Sequence, residues 1–298
     1  MGGLSVRALL ATLVVVAAPQ LGGCANQSEP AGPAPTTSTV SDAEGAYRQL
    51  HDAKNVSDCG ASLTALSDAN VKRDVSALRD TAAKYRGLVA AWGELLGKIA
   101  FPSSAKTVVD SLRANNASEV RHLDSIAAVT ESSLGNVLAT YVFFDDAAVT
   151  TDVDRLAEVL GHRPSQPLIA ADQLNFGRQT YQRDNALTEM LFTAALAHAD
   201  LNAAKAANRV EEDALQRYAD ALNTIGWPAG YDGQVSDLRD KIHALIDADR
   251  RQVDVSNPSQ IVSAPPGGSA ETAAESQAQG NLLDALFKSN NGDTLPKC

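Results

Sequence analysis

From Ser41 to about Val253 the apolar positions recur every three to four residues, and β-branched residues do not alternate as they would in strands. One stripe runs Leu78, Leu88, Val89, Trp92, Leu95, Leu96 and Ile99. A second runs Val108, Val109, Leu112, Val120, Leu123 and Ile126. A third covers Leu134, Leu138, Tyr141 and Val142 and continues through Val153, Leu156 and Leu160. Each marks one face of a helix. Ser41-Asp42-Ala43-Glu44 reads as an N-cap with acidic first-turn residues, and Gly161 as a C-terminal cap with Pro164 close behind.

The second half repeats the first. A shift of 126 positions lays Ile99-Ala100-Phe101-Pro102 on Ile225-Gly226-Trp227-Pro228. Without a gap, the same shift pairs Trp92 with Tyr218, Leu96 with Leu222, Val109 with Val235, Leu112 with Leu238 and Arg113 with Arg239. Similarity that keeps an aromatic-Pro corner and the following helix in one register means one structural unit used twice. At the corner, Phe101 and Trp227 are expected to turn inward and plug the ends of their bundles. Pro102 is expected to open the next helix, at a first-turn position where its missing N–H costs nothing.

The expected fold is all-α, with two tandem antiparallel helical-bundle modules. Residues 41–163 form the first and 182–253 the second, with 164–181 as a connection because it holds two prolines and Gly177. Residues 254–298 are expected to be a mostly disordered tail, Pro-, Gly-, Ser- and Gln-rich, with one short helix at 281–288. On the repeat alignment that tail falls where the first module has its fourth helix, so it is placed to dock on the second module.

The N-terminus changes the picture. Arg7 precedes an apolar run from Ala8 to Ala18, too short for a bilayer span of about 20 residues. Leu21-Gly22-Gly23-Cys24 follows. Residues 1–23 read as a signal peptide, and the Leu-Gly-Gly-Cys ending resembles a bacterial lipobox. That resemblance implies cleavage before Cys24 and acylation of its thiol. More than one acyl chain is needed for lasting anchorage. Residues 24–40 read as the acylated cysteine and a flexible Pro/Thr tether.

The formal charge of −11 becomes about −12 once Arg7 is removed. An acidic chain without a basic tract is a poor nucleic-acid binder, and no nucleic-acid partner is expected. Two further cysteines remain, Cys59 and Cys298. They can form one disulfide, stay as free thiols, or link two chains through Cys298.

No constellation of residues points to catalysis, a metal or a cofactor, and none is expected. Glu119 and His122 have the Glu-x-x-His spacing of carboxylate-bridged metal bundles, but the equivalent 245–248 stretch carries neither ligand, so a solvated helical face is favoured. His198 reads as a buried, hydrogen-bonded histidine on the Leu187, Leu191, Leu201 stripe. His243 with Asp247 reads as a surface pair. Asp145-Asp146 and Glu211-Glu212-Asp213 read as solvent-facing or capping runs, and Arg113 and Arg239 as salt-bridge partners of neighbouring helices.

The lipobox, the Thr/Pro-rich tether and the tandem Ala-rich helices together resemble lipoproteins of actinobacteria, including mycobacteria. That group carries no established activity to transfer, so the resemblance implies a location: the cell membrane, lipid-anchored, on the extracytoplasmic side. The expected role is a non-enzymatic docking module for an envelope protein. The alternative is a helical bundle that holds a small apolar or amphipathic ligand between its helices.

Overall fold

The computed structural model describes residues 39–52, 56–253, 269–289, 295 and 298. Among these residues there are nine helices and no strand. The all-α reading holds. The expected signal peptide, the expected acylation site Cys24 and most of the expected tether lie outside the described residues.

Helix α1 (Thr39–His51) precedes the first module. That module is a four-helix, up-and-down array of α2 (Val56–Val71), α3 (Val75–Lys98), α4 (Lys106–Ala127) and α5 (Ser132–Val159). The second module repeats the arrangement with α6 (Gln166–Ala197), α7 (Leu201–Leu222), α8 (Asp232–Val253) and α9 (Ser269–Lys288). Sequential helices pack side by side in each module, α9 closes on α8 and α6, and α5 packs on α6 to join the two modules.

Each module has its own core. In the first, Leu78, Tyr85, Val89, Leu96, Leu112, Leu123, Ile126 and Leu156 are fully shielded from solvent. In the second, Leu174, Leu215, Tyr218, Leu222, Leu238, Ile242 and Leu282 play that part. The small cluster of Phe192, Ala195, Ala204 and Ala207 holds the α6–α7 tip together.

The repeat extends beyond the stretch legible in the sequence. Helices α2 and α3 are joined by a turn in which Arg73 N–H donates to Asn70 O and Asp74 N–H to Ala69 O. Helices α6 and α7 are joined by the same turn 126 positions on, with Ala199 N–H donating to Leu196 O and Asp200 N–H to Ala195 O. These paired bonds end a helix in a Schellman motif. The next residue is already the N-cap of the following helix: Asp74 accepts from Ala77 N–H and Asp200 from Ala203 N–H, each at 3.0 Å.

Two boundaries differ from expectation. Residues 164–181 are not a connection. Pro164 and Ser165 end a short link, and 166–181 form the first half of α6, a 32-residue helix about 48 Å long. Ser165 caps it, accepting from Leu168 N–H, and Pro167 sits in its first turn, where proline has no bond to lose. Gly177 lies mid-helix where α6 meets Tyr218; a Cβ there would touch that ring at 3.5 Å. The tail is also more ordered than expected, because 269–288 is one helix. Its apolar face, Ala278, Leu282 and Leu286, completes the second core, and that burial offsets the weak helix preference of Ser, Thr, Gln and Gly280.

After α9 the chain returns to the first module. Leu295 and Cys298 are buried in that module's core, and Cys298 is disulfide-bonded to Cys59 on α2, with Cα atoms 5.3 Å apart. The bond links the two ends of the tandem array across 239 positions.

Candidate binding cleft

Where α5 packs on α6, the helices beside them, α4 and α7, splay apart. The gap is a cleft of about 540 Å³. Phe144 and Phe176 meet across its floor with ring centroids 5.5 Å apart. Thr151, Thr180 and Thr224 line it, and their hydroxyls donate back to their own helices, to Ala147 O, Phe176 O and Ala221 O.

Each end of the cleft carries a carboxylate already engaged by the protein. On α5, buried Asp152 accepts from Ser111 Oγ at 2.7 Å and from Asn115 Nδ2 at 2.8 Å, and Arg155 Nη1 stands 3.5 Å away. On α6, Asp184 accepts from Arg183 at 2.7 Å and from Arg217 of α7 at 3.0 Å. The Arg183 guanidinium also lies 4.0 Å from the centre of the Phe144 ring, a cation–π contact between the modules. Nothing in the sequence marked Asp152, Asp184 or Arg217 as a set. They come from three helices of two modules.

Beside the cleft, each bundle buries a polar centre. In the first, Glu119 is fully buried between helices and faces the Tyr85 hydroxyl. Burial, reinforced by the carboxylates of Asp146 and Asp145, raises its pKa well above the usual carboxylate range, and the Tyr85 hydroxyl offsets this only in part. Asp145 is buried too and pairs with His122 Nδ1 at 2.6 Å. The expectation of a solvated face at Glu119 and an exposed Asp145-Asp146 run is therefore overturned. Inward-facing polar residues and outward-facing ones share the same spacing along a helix, so periodicity could not separate them.

In the second bundle, Glu211 is buried and accepts from Tyr181 Oη at 3.3 Å and from Asn185 Nδ2 at 3.1 Å. Burial raises its carboxyl above the ordinary range, and Glu275 is raised for the same reason. Asp249 is fully shielded. Glu211 occupies the repeat position of Tyr85, while Glu119 falls on Leu245, so each bundle builds its Tyr–carboxylate centre from different positions.

The other candidates fall into place singly. His198 is an exposed C-cap of α6, not a buried histidine, and Leu187 and Leu191 on its supposed stripe are exposed at 37% and 48%. His243 is exposed, as is Asp247, whose partner is Arg250 at 3.6 Å. Arg113 and Arg239 do not make salt bridges among the described residues. Each reaches back to the end of the preceding helix: Arg113 donates to Leu96 O at 2.6 Å and Arg239 to Asn223 Oδ1 at 2.9 Å. Phe101 and Trp227 are half-buried at the bundle ends, with Trp227 Nε1 donating to Leu222 O at 2.9 Å. Pro102 precedes a 3-10 turn (Ser103–Ala105) rather than opening α4 itself.

Among the described residues no group of three or more His, Cys, Asp or Glu side chains is arranged to hold a metal ion, and no helix is long and apolar enough to cross a membrane. No protein-family model, no curated protein and no solved structure matches this chain.

Proposed function

We propose that this chain is a non-enzymatic binding protein held on the extracytoplasmic side of the cell membrane by acylated Cys24, and that the cleft between its two bundles receives a small amphipathic ligand. The observation that carries the reading is the cleft itself. Its volume of about 540 Å³ lies within the span of small-ligand sites, about 300–1,000 Å³. It combines an aromatic floor with polar ends, and it lies between helices, where bundle folds usually place ligands. The carboxylates at its ends are each held by two or more of the protein's own donors or cations, an arrangement that suits a fixed recognition surface.

Native mass spectrometry of the chain from Ala25 onward, purified from its own envelope, tests this. The expected result is an added mass that disappears on organic extraction. A bare chain mass in every preparation counts against it.

A docking role has its own support. Leu187 and Leu191 stand one turn apart on α6 near its tip, exposed to solvent. Cross-linking from the tip to an envelope protein, abolished by Leu191→Glu, is the outcome that reading expects.

A further inference from the structure

We infer that the ligand of the cleft is an organic anion with an apolar or aromatic body, and that Arg217 reads its acidic group beside Phe144. This deepens the proposed function and rests on the cleft being the binding site.

The charged side chains of the cleft and the hydrogen bonds they already make point to the class of ligand. The lining runs along α6 from Gln173 to Asp184, eleven residues of helix or about 16 Å, so its ends are distinct places. At one end Asp152 faces the single cation Arg155, and the pair is neutral. At the other end one carboxylate, Asp184, is shared by two guanidiniums, Arg183 and Arg217. Asp184 and Arg217 line the cleft there, and Arg183 adds a second cation to the same carboxylate from outside the lining. Arg183 is held against the Phe144 ring. Arg217 lines the cleft, commits Nη2 to Asp184 and has a side chain 58% exposed, so donors of its planar fork stay accessible to a ligand.

The donors and acceptors agree. Asp152, Asp184 and the three threonine hydroxyls already receive or give hydrogen bonds within the wall. What the wall leaves uncommitted at the Asp184 end is chiefly the guanidinium donors of Arg217. A guanidinium fork fits a carboxylate, sulfonate or phosphate in a bidentate pair. Next to it the Phe144–Phe176 floor offers ring faces to an apolar body. A neutral hydrocarbon would make no use of those donors, and a cation would compete with Arg183 and Arg217 for Asp184.

The test uses two fluorescent probes with one body and a different head: 1-anilinonaphthalene-8-sulfonate and the same molecule without its sulfonate, N-phenyl-1-naphthylamine. The chain from Ala25 onward is titrated with each. The sulfonate is expected to bind one to one and at least about tenfold tighter than the neutral probe, the scale of one charge-assisted contact. Arg217→Gln should remove that advantage and leave the neutral probe's affinity unchanged. Arg217→Lys should recover part of it. Thr151→Phe, which puts a ring into the cleft from a partly exposed position on α5, should abolish both. Equal affinities for the two probes, or a sulfonate affinity untouched by Arg217→Gln, overturn the anion reading while leaving the cleft as the site. Binding of both probes that survives Thr151→Phe, or binding of neither, overturns the cleft reading and this inference with it. Arg217 is more than half exposed, so its variants are expected to fold, which circular dichroism checks.

Discussion

Arg73 and Ala199, 126 positions apart, hold the same left-handed backbone, each with φ of 53°. Each ends a helix and stands immediately before the aspartate that caps the next one. The left-handed region costs a residue with a Cβ roughly 1–2 kcal/mol, and glycine little. Ala199→Gly and Arg73→Gly are therefore expected to stabilise the chain by about 0.5–1 kcal/mol each, after the added freedom of the unfolded chain is counted. Asp74→Ala and Asp200→Ala should each cost about 1 kcal/mol through loss of the cap. Urea denaturation measures all four, and a destabilised glycine variant would contradict the shared turn.

Glu119 predicts a pH dependence of definite sign. Its carboxyl is raised in the folded state above an ordinary value of 4.5, because burial and the neighbouring aspartates disfavour the charge. Its favourable contribution is complete below pH 4.5 and is lost as pH rises toward the folded value, at a slope of up to about 1.4 kcal/mol per pH unit. Glu119→Gln removes that titration. The variant should match the parent near pH 4.5 and grow more stable than it as pH rises. Parallel stability curves from pH 4.5 to 8 would show that Glu119 does not titrate in this window.

Gly93 is fixed by contact with Asn116. A Cβ at Gly93 would stand 2.3 Å from Asn116 Oδ1, and the Asn116 amide is held by donation to Val89 O at 3.1 Å. Gly93→Ala should cost about 1–3 kcal/mol by overpacking. Truncating the asparagine as well should recover much of that loss, so the double variant G93A/N116A is expected to be less destabilised than the two single effects added together. A simple sum of the two would contradict the contact.

The Cys59–Cys298 bond closes a loop of 239 positions. On chain-entropy grounds a loop longer than 100 residues is worth close to 5 kcal/mol, an upper figure for this bond. Reduction, or Cys298→Ala, should lower the melting temperature and release Leu295 from the first core. A melt that overlays with and without reductant would contradict it.

Three-to-four periodicity was enough to read helix from Ser41 to Val253, because an amphipathic helix must repeat its apolar positions to bury one face. The 126-position shift was legible for the same reason: Leu96 and Leu222, or Leu112 and Leu238, fill equivalent core sites. Gly161, with φ of 92°, was legible as a cap because few other residues accept that backbone. The expected docking of the tail as a fourth helix also came from the repeat. Its full extent from Ser269 did not, since Ser, Thr and Gln form helix here only by packing against a core made elsewhere in the chain.

Tertiary structure alone decided the interior polar groups and the cleft. Glu119 and Asp145 look like surface residues in sequence, and only the packing of α3, α4 and α5 turns them inward. Residues 166–181 carry Pro167 and Gly177, yet form helix because each sits where the backbone tolerates it. Asp152, Asp184 and Arg217 belong to two modules and share no local spacing. They meet only because α5 packs on α6, and a contact between distant segments leaves no periodic trace in a single chain.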